Sequence, residues 1–235
     1  SEFESPVVDG ERASIWREMS WGAGAPLGVS LSTADVDLIG LWHCEALSGP
    51  LLDATANGNS GAVTGLDYGV PGAFSNAVSL ADAGDQVVVT HNASLSTPTA
   101  VSAEVWIHPE AGGEFTVIDK HDGASGFLLG TDVTGKLYFR VGAATATDWL
   151  PLPRRRWLHV AGVYDGAIVR VYVDGELRGS ADSTGEPAGS TDNMVFGQES
   201  GGGKQFLGRI DEVAIHSRGL SAAEVLSHYR AGASS

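Results

Sequence analysis

The chain has 235 residues, 32 of them glycine, and a formal net charge of −15, and this length is ordinary for a single β-sandwich. Acidic residues outnumber basic ones by 29 to 14, which argues against nucleic acid or an anionic membrane as a partner, because either would need a basic protein surface. The single cysteine, Cys44, excludes an internal disulfide framework and a cysteine-based zinc site, and the lack of a long apolar run argues against membrane insertion.

The sequence of residues 1–37 shows no clear helix or strand periodicity. The opening Ser-Glu-Phe resembles a cloning remnant, and the stretch GAGAPLG is typical of a flexible segment. We therefore predict that residues 1–37 are a lead-in or linker and that residues 38–233 form one domain. The sequence contains no secretion signal, which leaves the compartment of a longer parent protein open.

From Leu38 onward, short apolar segments alternate with Gly, Asp, Asn and Pro, as all-β folds require. Asp174-Gly175 lies between two alternating segments and predicts a two-residue hairpin turn, because both turn positions favour positive φ. These signals predict an all-β sandwich. The clearest predicted strands are LIGLWHCE, VSAEVWIHP, FTVIDKH, KLYFRVG, WLHVAGVYDG, IVRVYVDG and GRIDEVAIH.

One short helix is predicted near the C-terminus, in the segment LSAAEVLSHYR. Ser221 and Glu224 have the spacing of a capping box, and Leu220 and Val225 have the spacing of a hydrophobic staple. Gly232 suits the C-terminal end of this helix.

The strand before this helix, GRIDEVAIH, carries two adjacent acids, Asp211 and Glu212. Alternate side chains of a strand share a face, so Asp211 is expected to point with Val213, and Glu212 with Ile210. Whichever face is the core, one carboxylate is directed at it. A buried carboxylate is costly unless it is hydrogen-bonded, paired with a cation or bound to a metal.

Four segments resemble, in chain order, the laminin-G-like group of the concanavalin A-like lectin/glucanase superfamily. The resemblance runs from about Leu38 to Tyr229 and implies a jelly-roll sandwich of two antiparallel sheets, one of them concave. The superfamily includes carbohydrate-binding modules, adhesion domains and some glycan-degrading enzymes, so the fold alone does not fix the function. The four segments are GLWHCEALSGPLLDATANGNSGAVTG, AVSLADAGDQVVV, WLHVAGVYDGAIVRVYVDGELRG and FLGRIDEVAIHSRGLSAAEVLSHY.

A structural calcium site is the best candidate for a metal centre. The loop from Asp53 to Asn59 contains glycine and several side-chain oxygens at short spacing, and Ca²⁺ takes six to eight such oxygen ligands. The resemblance implies that this loop packs near the first and last strands of the domain. The ligands expected on that basis are Glu45, Asp53, Asn57 and Asp211. At Cys44 the family commonly carries Asp, so one usual carboxylate is missing. The alternative is that Asp211 accepts hydrogen bonds from loop amides or pairs with Arg209 or Arg218.

Catalytic motifs are not found in the sequence. Glycoside hydrolysis needs two carboxylates that flank the bond to be cleaved. Retaining glucanases of the superfamily supply them from the motif E-x-D-x-x-E on one strand, and this spacing does not occur in the sequence. His159, within WLHVAGV, is expected to be a core histidine, and Cys44 is expected to pack as a small apolar side chain. We therefore predict a protein that is not an enzyme and has no catalytic residues.

Recognition of a glycan or polysaccharide is the function that the resemblance favours. Trp149 stands among polar residues and prolines, so its ring is expected to be exposed, and Arg154 and Arg155 belong to the main basic cluster. These three residues are the candidate ligand contacts. The prediction is a calcium-stabilised, non-catalytic carbohydrate-binding module from a larger secreted or cell-surface protein. The alternatives are an adhesion domain that binds protein, a spacer, and an atypical glycan-degrading enzyme.

Overall fold

The computed structural model describes residues 37–97, 99–183 and 190–233. Almost all of the predicted lead-in, residues 1–36, lies outside these ranges. The described chain forms fifteen strands, a 3₁₀ turn at Ala93–Leu95 and a C-terminal helix. The elements are β1 (Leu38–Trp42), β2 (Gly61–Thr64), β3 (Asp67–Pro71), β4 (Asn76–Leu80), β5 (Gln86–Val89), β6 (Val101–Pro109), β7 (Phe115–His121), β8 (Gly126–Thr131), β9 (Lys136–Val141), β10 (Ala144–Pro151), β11 (Leu158–Tyr164), β12 (Ile168–Val173), β13 (Glu176–Asp182), β14 (Met194–Phe196), β15 (Gly208–His216) and α1 (Ala222–Ala233).

The strands form two antiparallel sheets, which confirms the predicted jelly-roll sandwich. The eight-stranded sheet has the order β13-β12-β11-β6-β15-β4-β3, and β1 also pairs with β15. The seven-stranded sheet has the order β10-β9-β8-β7-β14-β5-β2. Because β15 pairs with β1, β4 and β6, the first and last described strands are held side by side.

The apolar core lies between the two sheets. One face of β6 contributes Val101, Ala103, Val105 and Ile107 to it. The sheets come very close at Gly162 of β11, where an added Cβ would lie 2.2 Å from the ring of Phe139. The predicted hairpin turn between β12 and β13 is confirmed, since Asp174 and Gly175 have φ values of 52° and 77°.

The opposite face of β6 is covered by α1. The predicted capping box is present: the amide of Ser221 donates to Glu224 Oε2 over 2.7 Å, and the amide of Glu224 donates to Ser221 Oγ over 3.3 Å. The ring of Tyr229 in α1 stacks on Trp106 of β6, with 5.9 Å between ring centroids. The helix also buries an apolar cluster made of Ala161, Val163, Tyr172, Leu220 and Val225.

A bulge in β15 changes the predicted arrangement of the two adjacent acids. The pairing of β15 with β6 is irregular between Asp211 and Ala214, and Glu212 has a φ of 50°. Such a bulge interrupts the alternation of side chains along a strand. The expected alternation, with Asp211 facing the same side as Val213 and Glu212 the same side as Ile210, is therefore wrong: Ile210 and Val213 both belong to the core between the sheets, and both acids are buried.

Candidate functional site

Trp149 of β10 is an exposed aromatic ring with a fixed orientation. The residue is 59% exposed and lies on the edge strand of the seven-stranded sheet. The guanidinium carbon of Arg178 lies 5.7 Å from the ring centroid, within the range of a cation–π contact. Arg178 is held in turn by an ion pair with the buried carboxylate of Asp148, at 3.2 Å. The expected exposure of Trp149 is confirmed, and the guanidinium of Arg178 lies against its ring.

Arg154 and Arg155 are exposed in the turn between β10 and β11. Arg154 runs alongside Gly112, where an added Cβ would lie 3.2 Å from Arg154 Cδ. The backbone amide of Arg155 donates to the carbonyl of Pro109 over 2.8 Å. These contacts place both arginines beside the loop after β6, whereas Trp149 contacts β13. The three candidate ligand residues therefore lie on one stretch of chain but contact different neighbours.

The predicted calcium ligand Asp53 is engaged by its own loop. Its Oδ1 accepts hydrogen bonds from the amides of Leu41 (3.1 Å) and Thr55 (2.9 Å). Its Oδ2 accepts from Thr55 Oγ1 and from the amide of Asn59, each over 2.8 Å. The second loop ligand, Asn57, donates from Nδ2 to the carbonyl of Ile39 over 3.2 Å. Both side chains thus tie the loop to β1.

Asp211 accepts hydrogen bonds from a different loop, the one that joins β3 to β4. Its Oδ2 accepts from the amides of Ala73 (2.9 Å) and Phe74 (3.1 Å). This is the alternative role that the sequence left open. Its Oδ1 is buried without a hydrogen-bond partner among the described residues. Burial raises the pKa of this carboxyl to about 7, and the charge of Glu212 acts in the same direction.

Glu45, Asp53 and Asp211 do not form a compact ligand group. Within the described ranges, the one set of at least three acidic, histidine or cysteine residues whose ligand atoms lie within 4.8 Å of one another is made of Glu104, His216 and His228. The calcium site therefore stays a prediction.

The sequence interpretation missed a buried cluster under α1. Glu104 of β6 is buried, and three imidazoles surround its carboxylate. Oε1 lies 3.0 Å from His216 Nε2 and 2.9 Å from His228 Nδ1, while Oε2 lies 3.4 Å from His159 Nε2. Burial alone would raise the pKa of Glu104, but hydrogen bonds from the three histidines hold it well below its usual range. The only sequence signal was a lone acid within an apolar strand.

A small cavity lies beside this cluster, with Glu104 and Glu212 in its wall. Its volume is about 20 Å³, which suffices for one water molecule. A glycosidase needs two carboxylates that flank a bound sugar, and this closed space is too small for a sugar ring. The two buried acids therefore do not form a glycosidase cleft.

A shallow depression of about 370 Å³ lies on the neighbouring surface and is the second candidate for a sugar. It shares Trp106 with the small cavity. Arg156 and Asp174 form an ion pair of 3.0 Å on its wall. Its aromatic side chains are those of Trp106, Trp157 and Tyr229. Aromatic rings beside a charged pair are the groups with which proteins hold polar ligands that also have an apolar face.

The two sheets and the aromatic surfaces define a lectin-like sandwich. A laminin-G-type family model, described as the concanavalin A-like lectin/glucanases superfamily, matches residues 82–226. The chain therefore belongs to this superfamily, which confirms the resemblance found in the sequence. A search of curated protein sequences finds no match.

Solved structures with the same fold include several binding domains. The binding domain of Paraclostridial Mosquitocidal Protein 1 has a TM-score of 0.70 and 18% identity, covering 82% of this chain and 52% of that one. Domain 4 of AbnA, a GH43 extracellular arabinanase from Geobacillus stearothermophilus in complex with arabinotriose, has a TM-score of 0.64 and 20% identity, covering 82% and 98%. The ligand-binding domain of botulinum neurotoxin serotype D, in complex with N-acetylneuraminic acid, has a TM-score of 0.64 and 18% identity, covering 83% and 50%.

At these identities the likeness shows the fold alone. The chain spans about half the length of the two toxin binding domains and nearly the whole of the arabinanase domain. In the described part of the chain, no helix has the length and apolar character needed to cross a membrane.

Proposed function

We propose that the chain is a non-catalytic carbohydrate-binding module in which Trp149 stacks on a sugar ring. The observation that carries this proposal is the exposed ring of Trp149, which Arg178 and Asp148 hold in place. A rigid aromatic face loses little conformational entropy when a ligand covers it. Arg154 and Arg155 are also exposed and are a separate candidate contact beside the loop after β6, where their guanidinium groups would donate hydrogen bonds to ligand oxygens.

The family and its neighbours support this function. Two of the similar structures carry a carbohydrate, arabinotriose in one and N-acetylneuraminic acid in the other. Both belong to proteins whose names describe an extracellular enzyme or a toxin, so we further propose that this module acts outside the cell as part of a larger protein. The calcium site at Glu45, Asp53, Asn57 and Asp211 is kept as a separate proposal.

The test is a glycan array, run once in millimolar calcium and once in EDTA, followed by titration calorimetry with the strongest ligand. Trp149→Ala should weaken binding at least about 10-fold, because it removes an apolar contact equivalent to about 1.4 kcal/mol or more. Leu150→Ala is the matched control, since Leu150 is the adjacent exposed apolar residue, and its affinity should equal that of the wild type.

Three other outcomes would change the interpretation. Unchanged affinity in Trp149→Ala combined with a loss in Arg156→Ala would move the sugar to the depression beside Trp157. Loss of binding in EDTA would support a functional calcium ion. A blank array in both buffers would contradict the carbohydrate proposal and favour a protein partner or a spacer.

A further inference from the structure

The cluster around Glu104 brings together ligand side chains from four separate elements. Glu104 lies on β6, His216 on β15, His159 on β11 and His228 on α1. The three strands are neighbours in the eight-stranded sheet, and the helix covers them from outside. Glu104, His159 and His216 are buried, while His228 is half-buried. The arrangement is therefore rigid on the sheet side and is completed by one residue of the helix.

Two imidazole nitrogens converge on the same carboxylate oxygen. His216 Nε2 and His228 Nδ1 lie 3.0 and 2.9 Å from Glu104 Oε1, and the ligand atoms of the three residues all lie within 4.8 Å of one another. Around a tetrahedral zinc ion with bonds of about 2.0–2.1 Å, neighbouring ligand atoms are separated by about 3.3 Å. The two oxygen–nitrogen distances are close to this spacing, and the two imidazole nitrogens, which lie within 4.8 Å of each other, would move to reach it around an ion.

An independent feature, the small cavity, adjoins the same three-residue group. Glu104 and His228 both line it, and its volume of about 20 Å³ matches a single water molecule. Zinc sites with three protein ligands keep a fourth position for water or another small ligand. The cavity offers space for such a ligand beside Glu104 and His228.

His159 has a different place in the cluster. Its Nε2 lies 3.4 Å from Glu104 Oε2, the oxygen that faces away from His216. Its Nδ1 is buried and has no hydrogen-bond partner among the described residues. His159 is not part of the three-residue group whose ligand atoms all lie within 4.8 Å of one another. It is suited to orient Glu104, by donating from Nε2 to Oε2.

We propose that Glu104, His216 and His228 bind a divalent transition-metal ion of the zinc class, with His159 as a positioning residue. Two imidazoles and one carboxylate favour zinc over calcium, because calcium takes oxygen ligands almost exclusively. The ion joins α1 to the eight-stranded sheet. This site shares no residue with the predicted calcium site or with the contacts of Trp149.

The alternative is a metal-free network in which the three histidines donate hydrogen bonds to Glu104. Such a network also satisfies the buried carboxylate. The two accounts differ in their response to metal, since only a metal site gains stability when the ion is added.

The experiment uses the full chain without a polyhistidine tag, stripped with EDTA and dialysed. Zinc chloride titrated by calorimetry at pH 7.5 should bind at one ion per chain and raise Tm by several degrees. His228→Ala should weaken zinc binding at least about 100-fold, and it removes only a half-buried side chain. His91→Gln is the control, because His91 lies outside the cluster, and its zinc affinity should equal that of the wild type.

If the His228→Ala variant folds poorly, a second measurement on the wild-type protein still tests the proposal. Cobalt(II) added to the wild-type protein should give the intense visible absorption of a four-coordinate site, and one equivalent of zinc should remove it. No zinc binding by the folded wild type, or equal binding by a folded His228→Ala variant, would overturn the proposal and leave the hydrogen-bonded network.

Discussion

Replacement of Asp211 by asparagine tests how the fold tolerates a buried carboxylate. Asp211 is buried, and its Oδ2 accepts two backbone hydrogen bonds, from Ala73 and Phe74. Its Oδ1 has no partner among the described residues. The side-chain oxygen of an asparagine can accept the same two hydrogen bonds, so Asp211→Asn removes the charge and keeps the contacts.

The magnitude follows from the pKa of the carboxyl. Burial raises this pKa to about 7 from an ordinary value of 3.8. Because the folded state binds the proton more tightly than the unfolded state, this group makes the protein less stable as pH rises from about 4 to 7. A difference of about 3 units between the folded and unfolded pKa values changes the free energy of unfolding by about 4 kcal/mol over the whole titration. About 2–3 kcal/mol of this contribution is lost between pH 5 and pH 8.

The assay is urea unfolding of the wild type and Asp211→Asn at pH 5 and pH 8, both in EDTA. Between pH 5 and pH 8, the free energy of unfolding of the wild type should fall by about 2–3 kcal/mol more than that of the variant. Groups that do not interact with Asp211 titrate alike in both proteins and cancel in this comparison. His43, whose pKa is raised by its hydrogen bond with Glu212 and in part by the charge of Asp211, contributes a smaller difference. Equal pH dependence in the two proteins would refute the reasoning. A gain in stability on adding calcium at pH 8, seen in the wild type and missing in the variant, would instead support Asp211 as a calcium ligand.

Two further predictions concern local features. Ser221→Ala removes the side-chain acceptor of the capping box and should lower the free energy of unfolding by about 0.5–2 kcal/mol, measured by urea unfolding against Ser227→Ala, an exposed residue of the same helix. Cys44 is 3% exposed, and burial raises the pKa of its thiol well above the usual range. It should therefore react with a thiol reagent only after unfolding; rapid labelling of the native protein would contradict the structure.

Local sequence signals predicted the elements whose geometry depends on neighbouring residues. Asp174-Gly175 forms the expected hairpin turn because both residues adopt positive φ. Ser221 and Glu224 form the expected capping box because the two positions are three residues apart on one helix. The exposure of Trp149 followed from its polar and proline-rich surroundings.

Features that depend on strand order could not be read from the sequence. Glu104 meets His216 and His228 across separations of 112 and 124 residues, and the contact depends on β6 lying next to β15 beneath α1. The bulge at Glu212 was missed for a different reason. Its positive φ occurs in a residue other than glycine, so no residue type in the strand indicated that the alternation would break there.

Glu104 and Asp211 lie on neighbouring strands and show what determines the protonation of a buried carboxylate in this fold. Both side chains are buried, so desolvation acts on both in the same direction. Hydrogen bonds from three imidazoles lower the pKa of Glu104, whereas the amide hydrogen bonds to Asp211 do not offset its desolvation and the charge of Glu212, and its pKa rises. The donors around each carboxylate therefore set how far burial raises its pKa: Glu104 is ionised at neutral pH, whereas Asp211 takes up a proton as the pH falls through about 7.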